Sequence, residues 1–225
     1  MGAMLLAGII WVVTHLGLSS TPLRGQIVSR LGEQAFLGIY SLVAFGTLGY
    51  LIYVYTVVPH FDYLWTPNLD LYWIAKLTMP IACIFIVGSF MANNPTMVGG
   101  KVDADAAEPA TGVFRITRHP LQWGFIIWAI GHIIANGDVV SIIFFTSLFL
   151  VSLLGTYGMD SKKAKSTDEA WPAYVAVTSN LPFGALLSGR NRLVMRELWL
   201  PVVVGLVLFA ILYVVHEYIA GVKII

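Results

Sequence analysis

Six long apolar stretches, separated by short polar segments, constrain the fold of this chain more than any other feature of its sequence. A helix needs roughly 20 mainly apolar residues to cross a bilayer, and each stretch approaches that length. They run over Met1 to Leu18, Gln34 to Val58, Leu71 to Ala92, Leu121 to Ala135, Val139 to Met159 and Leu198 to Ala220. Charged residues make up only 11% of the chain, against about 25% in soluble domains. The sequence therefore predicts an all-α bundle of about six transmembrane helices, forming one domain over residues 1–225.

Basic residues are confined almost entirely to alternate loops of this predicted topology. The first, third and fifth loops hold eleven of the 13 Lys and Arg residues: Arg24, Arg30, Lys101, Arg115, Arg118, Lys162, Lys163, Lys165, Arg190, Arg192 and Arg196. Cytoplasmic loops carry such an excess, so we expect both termini on the periplasmic side of a bacterial inner membrane. Topology accounts for these charges without nucleic acid, and membrane lipid is the expected partner. The sequence leaves the oligomeric state open.

Ionisable side chains inside the predicted spans are the first candidates for function, because placing them in a bilayer costs free energy. His15 in the first span and His132 in the fourth each follow a tryptophan by one helical turn, and Gly124 and Gly131 leave space beside His132. Such space suits a flat macrocycle, and neutral imidazole is a common axial ligand of haem iron. The alternative is that each histidine only hydrogen-bonds a neighbouring helix. Sequence spacing does not separate these two interpretations.

The other ionisable groups in or near the spans have simpler interpretations. His216 and Glu217 form either a proton-active pair or, as we prefer, an interfacial polar pair at the end of the last span. Lys76 is close enough to the end of its span to extend its ammonium group to the surface. His119 and His132 are 13 residues apart, which on one helix separates them by about 20 Å. They are therefore excluded as ligands of the same iron.

Five groups of short strings, in this order and spacing, carry a family resemblance. They are His15-Leu16-Gly17-Leu18-Ser19-Ser20, Leu31-Gly32-Glu33 followed by Tyr40-Ser41-Leu42, Thr117-Arg118-His119-Pro120, Gly131-His132 followed by Asn136-Gly137-Asp138, and Trp171 with Tyr174 and Thr178-Ser179. Together they resemble the NnrU family over most of the chain. The resemblance implies kinship with the plant zeta-carotene isomerase, a haem b membrane enzyme that isomerises a cis double bond of a polyene. It also implies haem b as cofactor, with His15 and His132 as metal ligands, and the family name links bacterial members to denitrification.

Depth in the membrane is the physical difficulty with that ligand pair. Counted from the basic loops at about 1.5 Å per residue, His15 lies roughly 5 Å deep and His132 roughly 18 Å deep. On depth alone, His15 pairs better with His119, and His132 with His216, so these are the reserve pairs. We expect Arg118 and His119 to bind the haem propionates, because a guanidinium group suits bidentate contact with a carboxylate.

The triplet Arg118-His119-Pro120 permits a second interpretation. It is similar to the cofactor-binding motif of isoprenylcysteine and phospholipid methyltransferases, which bind S-adenosylmethionine. The tyrosine that usually follows the proline is missing, since Leu121-Gln122 stands there, and Asp168 or Glu169 is at best the later acidic partner. A purely structural interpretation is that Pro120 starts a helix while Arg118 anchors it to lipid headgroups.

The sequence thus predicts a haem b-binding integral membrane protein, an isomerase or redox enzyme that acts on a lipid-soluble polyene or isoprenoid. Two alternatives compete with it: an S-adenosylmethionine-dependent methyltransferase of a lipid or isoprenoid, and a non-enzymatic membrane factor for denitrification. The sequence assigns no catalytic residue, substrate or redox partner.

Overall fold

The computed structural model describes residues 1–97 and 99–221, and their regular secondary structure is helical apart from one isolated β-bridge. The long helices are α1 (Gly2–Ser20), α3 (Glu33–Val57), α4 (Leu69–Gly88), α5 (Pro120–Asn136), α6 (Val139–Ala164) and α9 (Met195–Ala220); the short ones are α2 (Pro22–Leu31), α7 (Trp171–Val177), α8 (Gly184–Leu187) and a 3₁₀ turn over Gly112–Arg115. Five of the long helices are long and apolar enough to cross a membrane. Helix α5 has 17 residues, or about 26 Å. The predicted all-α membrane bundle of about six helices is confirmed.

Helix ends are where the structure departs from the predicted spans. Helix α6 continues past Met159 to Ala164, which places Asp160 on its last turns. Helix α2 was not predicted; it starts where Pro22 occupies its first turn and the Thr21 hydroxyl accepts a hydrogen bond from the Leu23 N–H. Proline is well suited to a first helical turn, where its missing N–H has no helical partner. A short segment of the first predicted loop thus forms a separate helix.

Small residues set the register between α1 and α6. Gly8 lies directly against Ser147, and Gly158 lies against Ser20. Both residue numbers increase together, so α1 and α6 run parallel. Membrane helices use small residues in this way, because lipid offers no hydrophobic gain from helix association and close van der Waals packing must supply it.

Glycines also bring α4, α5 and α9 together. Gly124 and Gly131 of α5 lie against Ala82–Ile86 and Ala75–Thr78 of α4, respectively, which makes the two helices antiparallel. Gly205 brings α9 against Ile84, near the C-terminal end of α4, in the same manner. The space beside Gly124 and Gly131 that the sequence left for a macrocycle is therefore filled by α4.

These helix directions collect the charged loops at one end of the bundle. Helices α1, α4 and α6 finish there, and α3, α5 and α9 begin there; we call it the basic end. At the opposite end, the Leu64 N–H donates to the Gly137 carbonyl (2.9 Å) and the Val139 N–H donates to the Asp62 carbonyl (2.8 Å). The one-sided charge expected from the sequence is present, and the assignment of the basic end to the cytoplasm stays a prediction.

Two apolar clusters hold the bundle together. One joins α1, α3, α5 and α6 around Trp11, Phe144 and Phe145. The other lies at the basic end, where Trp171 and Tyr174 of α7 pack with the 3₁₀ turn and the first turns of α9. The apolar side chains on the outside of the long helices remain exposed, as expected of surfaces that face lipid.

Candidate functional site

Arg118, His119 and Asp160 form a charged cluster at the basic end of the bundle. Pro120 takes the first position of α5, so Arg118 and His119 fall in the non-helical segment immediately before the helix. The Thr117 hydroxyl accepts a hydrogen bond from the His119 N–H at 3.2 Å and fixes this approach. Asp160 reaches the cluster from the last turns of α6.

The Asp160 carboxylate is the centre of the cluster. Arg118 donates to it through Nε (2.9 Å to Oδ1) and Nη2 (2.8 Å to Oδ2), which is the two-pronged contact typical of arginine and a carboxylate. His119 Nε2 lies 2.8 Å from Oδ1, and Asn180 Nδ2 lies 3.3 Å from Oδ2. One carboxylate thereby ties the start of α5 to the end of α6 and to the segment after α7.

His119 is fully buried, and its protonation follows from that burial. Removal from water lowers the pKa of His119, and the Asp160 carboxylate opposes this effect without cancelling it. The neutral ring therefore donates its Nε2 proton to Asp160 and keeps a lone pair on Nδ1, a tautomer we assign from the hydrogen bonds. A carboxylate that fixes one nitrogen of a histidine leaves the other available as a base or a ligand.

Several buried polar atoms among the described residues have no hydrogen-bond partner, and two of them belong to residues at this site, His119 and Tyr174. In the part of the chain that the structure describes, the buried side-chain atoms without a hydrogen-bond partner are Trp11 Nε1, His15 Nδ1, His119 Nδ1, Gln122 Oε1 and Tyr174 Oη. Burial raises the pKa of Tyr174, which also lies within electrostatic reach of Arg118 and Asp160. The site therefore holds two uncharged groups, the His119 ring and the Tyr174 hydroxyl, near the Arg118–Asp160 ion pair.

His132 has one ring nitrogen fixed by its own helix. Its Nδ1 lies 2.8 Å from the Trp128 carbonyl, an arrangement that leaves Nε2 as the nitrogen suited to bind a metal. The ring packs on Trp128 and Phe145. His15 instead packs on Trp11 of its own helix and on Tyr40 of α3.

A second polar cluster, at the opposite end, was not predicted. His60 Nδ1 lies 2.8 Å from Asp138 Oδ1, and His60 Nε2 lies 3.0 Å from the Tyr55 carbonyl. Asp138 also caps α6 by accepting from the Ser141 N–H at 2.9 Å. The cluster ties the loop after α3 to the turn before α6.

The comparison with known proteins decides the family. The chain matches the family described as "NnrU protein" over residues 3–224. It belongs to the NnrU family. This NnrU-family protein is 29% identical over 199 residues to the "15-cis-zeta-carotene isomerase, chloroplastic" of Zea mays, covering 84% of this chain and 52% of the relative. It is 28% identical over 198 residues to the protein of the same name from Arabidopsis thaliana, covering 85% of this chain and 52% of the relative.

The extent of these matches limits what they transfer. This NnrU-family protein spans about half the length of the curated relatives it matches. No solved structure matched the chain. The family resemblance drawn from the short strings is confirmed, while the relatives' activity does not pass to this chain without a proposal.

The two predicted iron ligands of this NnrU-family protein lie at different levels along the helical bundle. The register of α1 on α6 places His15 level with residues 153–154 of α6, whereas the His132 ring contacts Phe145, with ring centroids 4.8 Å apart. Those levels differ by about 13 Å along the helix. The depth difference expected from the sequence is therefore present. The assignment of both histidines to one haem iron stays a prediction.

The structure also shows where histidines of the two reserve ligand pairs lie. His132 and His216 interact electrostatically, and the contacts of Gly131 and Gly205 with α4 place the two histidines at similar depths. His119 is engaged with Asp160 through Nε2. Ligand assignment within this NnrU-family protein stays a prediction for all of these histidines.

The sequence predicted Arg118 and His119 as site residues, but it did not predict Asp160, which joins them. Both contact Asp160, whereas the sequence offered Asp168 or Glu169 as the acidic partner. Asp160 is the only acid in α6 and stands just before the run of lysines, which is the signal that could have identified it. Binding of haem propionates by Arg118 and His119 stays a prediction, and the methyltransferase alternative is not favoured, since the relatives found are isomerases.

Proposed function

We propose that this NnrU-family protein is a membrane-embedded cis–trans isomerase of a lipid-soluble polyene, with a 15-cis carotenoid-like hydrocarbon as the substrate class. The observation that carries the proposal is the alignment of 84% and 85% of the chain with two proteins named as 15-cis-zeta-carotene isomerases. The aligned part is most of this chain. Because it is the shared part of longer proteins, it is where a common activity is expected to reside.

The fold is compatible with such a substrate for a physical reason. A polyene hydrocarbon dissolves in the acyl-chain region, and the long helices of this protein expose apolar side chains to that region. A substrate can therefore reach the bundle from within the bilayer rather than from water. Rotation about a double bond adds and removes no atoms, so the reaction requires no soluble co-substrate.

Haem b binding is a separate proposal that rests on the family resemblance. When bound, haem would supply the electron density that weakens a double bond. His15 and His132 remain the proposed ligands, and their neutral imidazoles would hold the iron. Absorption spectra of the purified protein and of the His15→Ala and His132→Ala variants test this proposal. Loss of a Soret band in both variants supports it, and an unchanged Soret band in both overturns it.

The isomerase proposal is tested in bacteria engineered to accumulate a 15-cis polyene and grown in the dark, because light isomerises polyenes. Expression of this chain is expected to shift the extracted pigment towards the trans isomer, as measured by chromatography with absorbance detection. The control is the same strain with an empty vector. The variant control is Tyr53→Phe, at an exposed tyrosine of α3, which we expect to retain the parent's conversion. An unchanged isomer ratio with the protein present in the membrane would overturn the proposal.

A further inference from the structure

A cleft of about 390 Å³ opens at the basic end, away from the Arg118–Asp160 cluster. It lies between the segment that precedes the 3₁₀ turn and the segment that joins α8 to α9. Three arginines line it, Arg115, Arg190 and Arg192, together with Glu108 and Asn191. Since α9 begins at Met195, the cleft lies just before the last membrane-spanning helix.

Arg115 is held in place by its neighbours. Its side chain is only 3% exposed, and its Nε and Nη2 donate to the two Glu197 oxygens at 2.8 Å each. Its Nη1 donates to Asn191 Oδ1 at 3.0 Å. The Glu197 contact raises the pKa of Arg115. The guanidinium group is therefore charged and fixed at the floor of the cleft, and a ligand would not have to order it.

Arg190 is also ordered before any ligand arrives. Its Nη1 donates to the carbonyls of Ala176 and Thr178, each at 2.9 Å, at the end of α7. Its Nε donates to the Ser188 hydroxyl at 2.9 Å. Groups that are already fixed lose little conformational entropy on binding, which favours affinity.

Glu108 is the loosely held member of the cleft. Its carboxylate lies 3.6 Å from Arg115 Nη1 and 3.6 Å from Arg192 Nη2, beyond normal hydrogen-bond length. Its side chain is 47% exposed and that of Arg192 is 78% exposed. The Glu108 carboxylate therefore lies between two guanidinium groups. Both contacts are long and exposed to solvent, so they are weak.

We propose that this cleft binds a phosphate group through Arg115, Arg190 and Arg192, and that the Glu108 carboxylate occupies the place of that phosphate until it is displaced. Arginine matches phosphate oxygens with paired donors, and such charge-assisted hydrogen bonds are stronger than the long contacts of Glu108. Three arginines against Glu197 and Glu108 leave one net positive charge, and displacement of Glu108 leaves two. The phosphate is carried either by a membrane lipid or by a soluble molecule. This site is independent of the isomerase proposal.

Two arms of a binding experiment distinguish these sources, with the full chain in phosphate-free buffer. In micelles of dodecyl maltoside, a detergent without phosphate, inorganic phosphate is titrated calorimetrically. In the second arm, a short-chain phosphatidic acid is titrated into the same micelles. Saturable binding of inorganic phosphate supports a soluble ligand, and binding of phosphatidic acid alone supports a lipid headgroup.

Substitutions in the cleft give opposite expected shifts. Arg192→Gln is expected to weaken binding roughly fivefold, the loss of one exposed charged contact, and Glu108→Gln to tighten it by a similar factor. The matched control is Arg30→Gln, at an exposed arginine of α2 outside the cleft, which should leave binding unchanged. The proposal is overturned if neither probe binds, if Glu108→Gln does not tighten binding, or if Arg30→Gln weakens it as much as Arg192→Gln.

Discussion

Replacement of Asp160 by asparagine removes the negative charge that Arg118 and His119 share. Asparagine keeps the shape of the side chain but offers one acceptor oxygen in place of two, and it turns an amide NH₂ towards groups that are themselves donors. Breaking a buried ion pair from one side costs about 3–5 kcal/mol. The side chains of Asp160 and Arg118 are 23% and 13% exposed, so partial access of water places the expected cost at the lower end, about 3 kcal/mol.

Thermal unfolding of the purified protein in detergent, followed by tryptophan fluorescence, measures this cost. For a chain of this size, about 3 kcal/mol corresponds to a fall in Tm of about 6–12 °C. Asp105→Asn is the matched control, because it removes the same charge from an exposed loop residue and should shift Tm very little. The Arg118→Gln/Asp160→Asn double variant should be less destabilised than the sum of the two single variants.

Two results would refute this reasoning. One is a Tm for Asp160→Asn within about 2 °C of the parent, which corresponds to less than about 1 kcal/mol. The other is strict additivity in the double variant, because it would mean that Arg118 and Asp160 do not stabilise each other.

Three further predictions concern packing, the opposite end and pH. Gly205→Val should lower the free energy of unfolding by about 1–3 kcal/mol in the same assay, because a side chain there would come within 2.7 Å of the Ile84 backbone. Gly46→Val is the control and should not lower it, since Gly46 has no neighbour within 4 Å. Equal effects of the two variants would contradict the packing of α9 against α4. Asp138→Ala should speed hydrogen exchange in the turn before α6, because it removes both a helix cap and a contact to the loop after α3. Unchanged exchange would count against that contact. Burial lowers the pKa of His119, so below pH about 6.5 the unfolded state binds a proton that the native state does not. The stability of the protein should therefore fall as the pH drops through that range. His119→Gln should flatten this dependence of stability on pH, and an unchanged slope would contradict the prediction.

The sequence specified the bundle because its physical signal is long and repeated. Apolar length predicted each long helix, and the alternation of basic loops predicted which helix ends lie together. Both signals are averaged over many residues, so small errors at individual positions do not matter. Boundaries were less accurate, since the ends of α4 and α6 depend on local contacts rather than on hydropathy.

The candidate site was predicted only in part, for a different reason. Arg118 and His119 stood out beside Pro120, but their partner Asp160 is about 40 residues away and belongs to another helix. The relative rotation of α5 and α6 brings these groups together, and spacing along one helix carries no information about it. The depth of His15 and His132 could be counted from the sequence, because rise per residue is constant in a helix.

Isomerisation of a polyene is the central proposed activity of this protein, and purified protein in lipid vesicles tests it most directly. Vesicles loaded with a cis-polyene are incubated in the dark with the reconstituted protein, and the isomers are separated by chromatography over time. We expect conversion to the trans isomer at a rate that is proportional to the amount of protein and is abolished by prior heat denaturation. A conversion rate equal to that of protein-free vesicles, with or without added haem b, would contradict it.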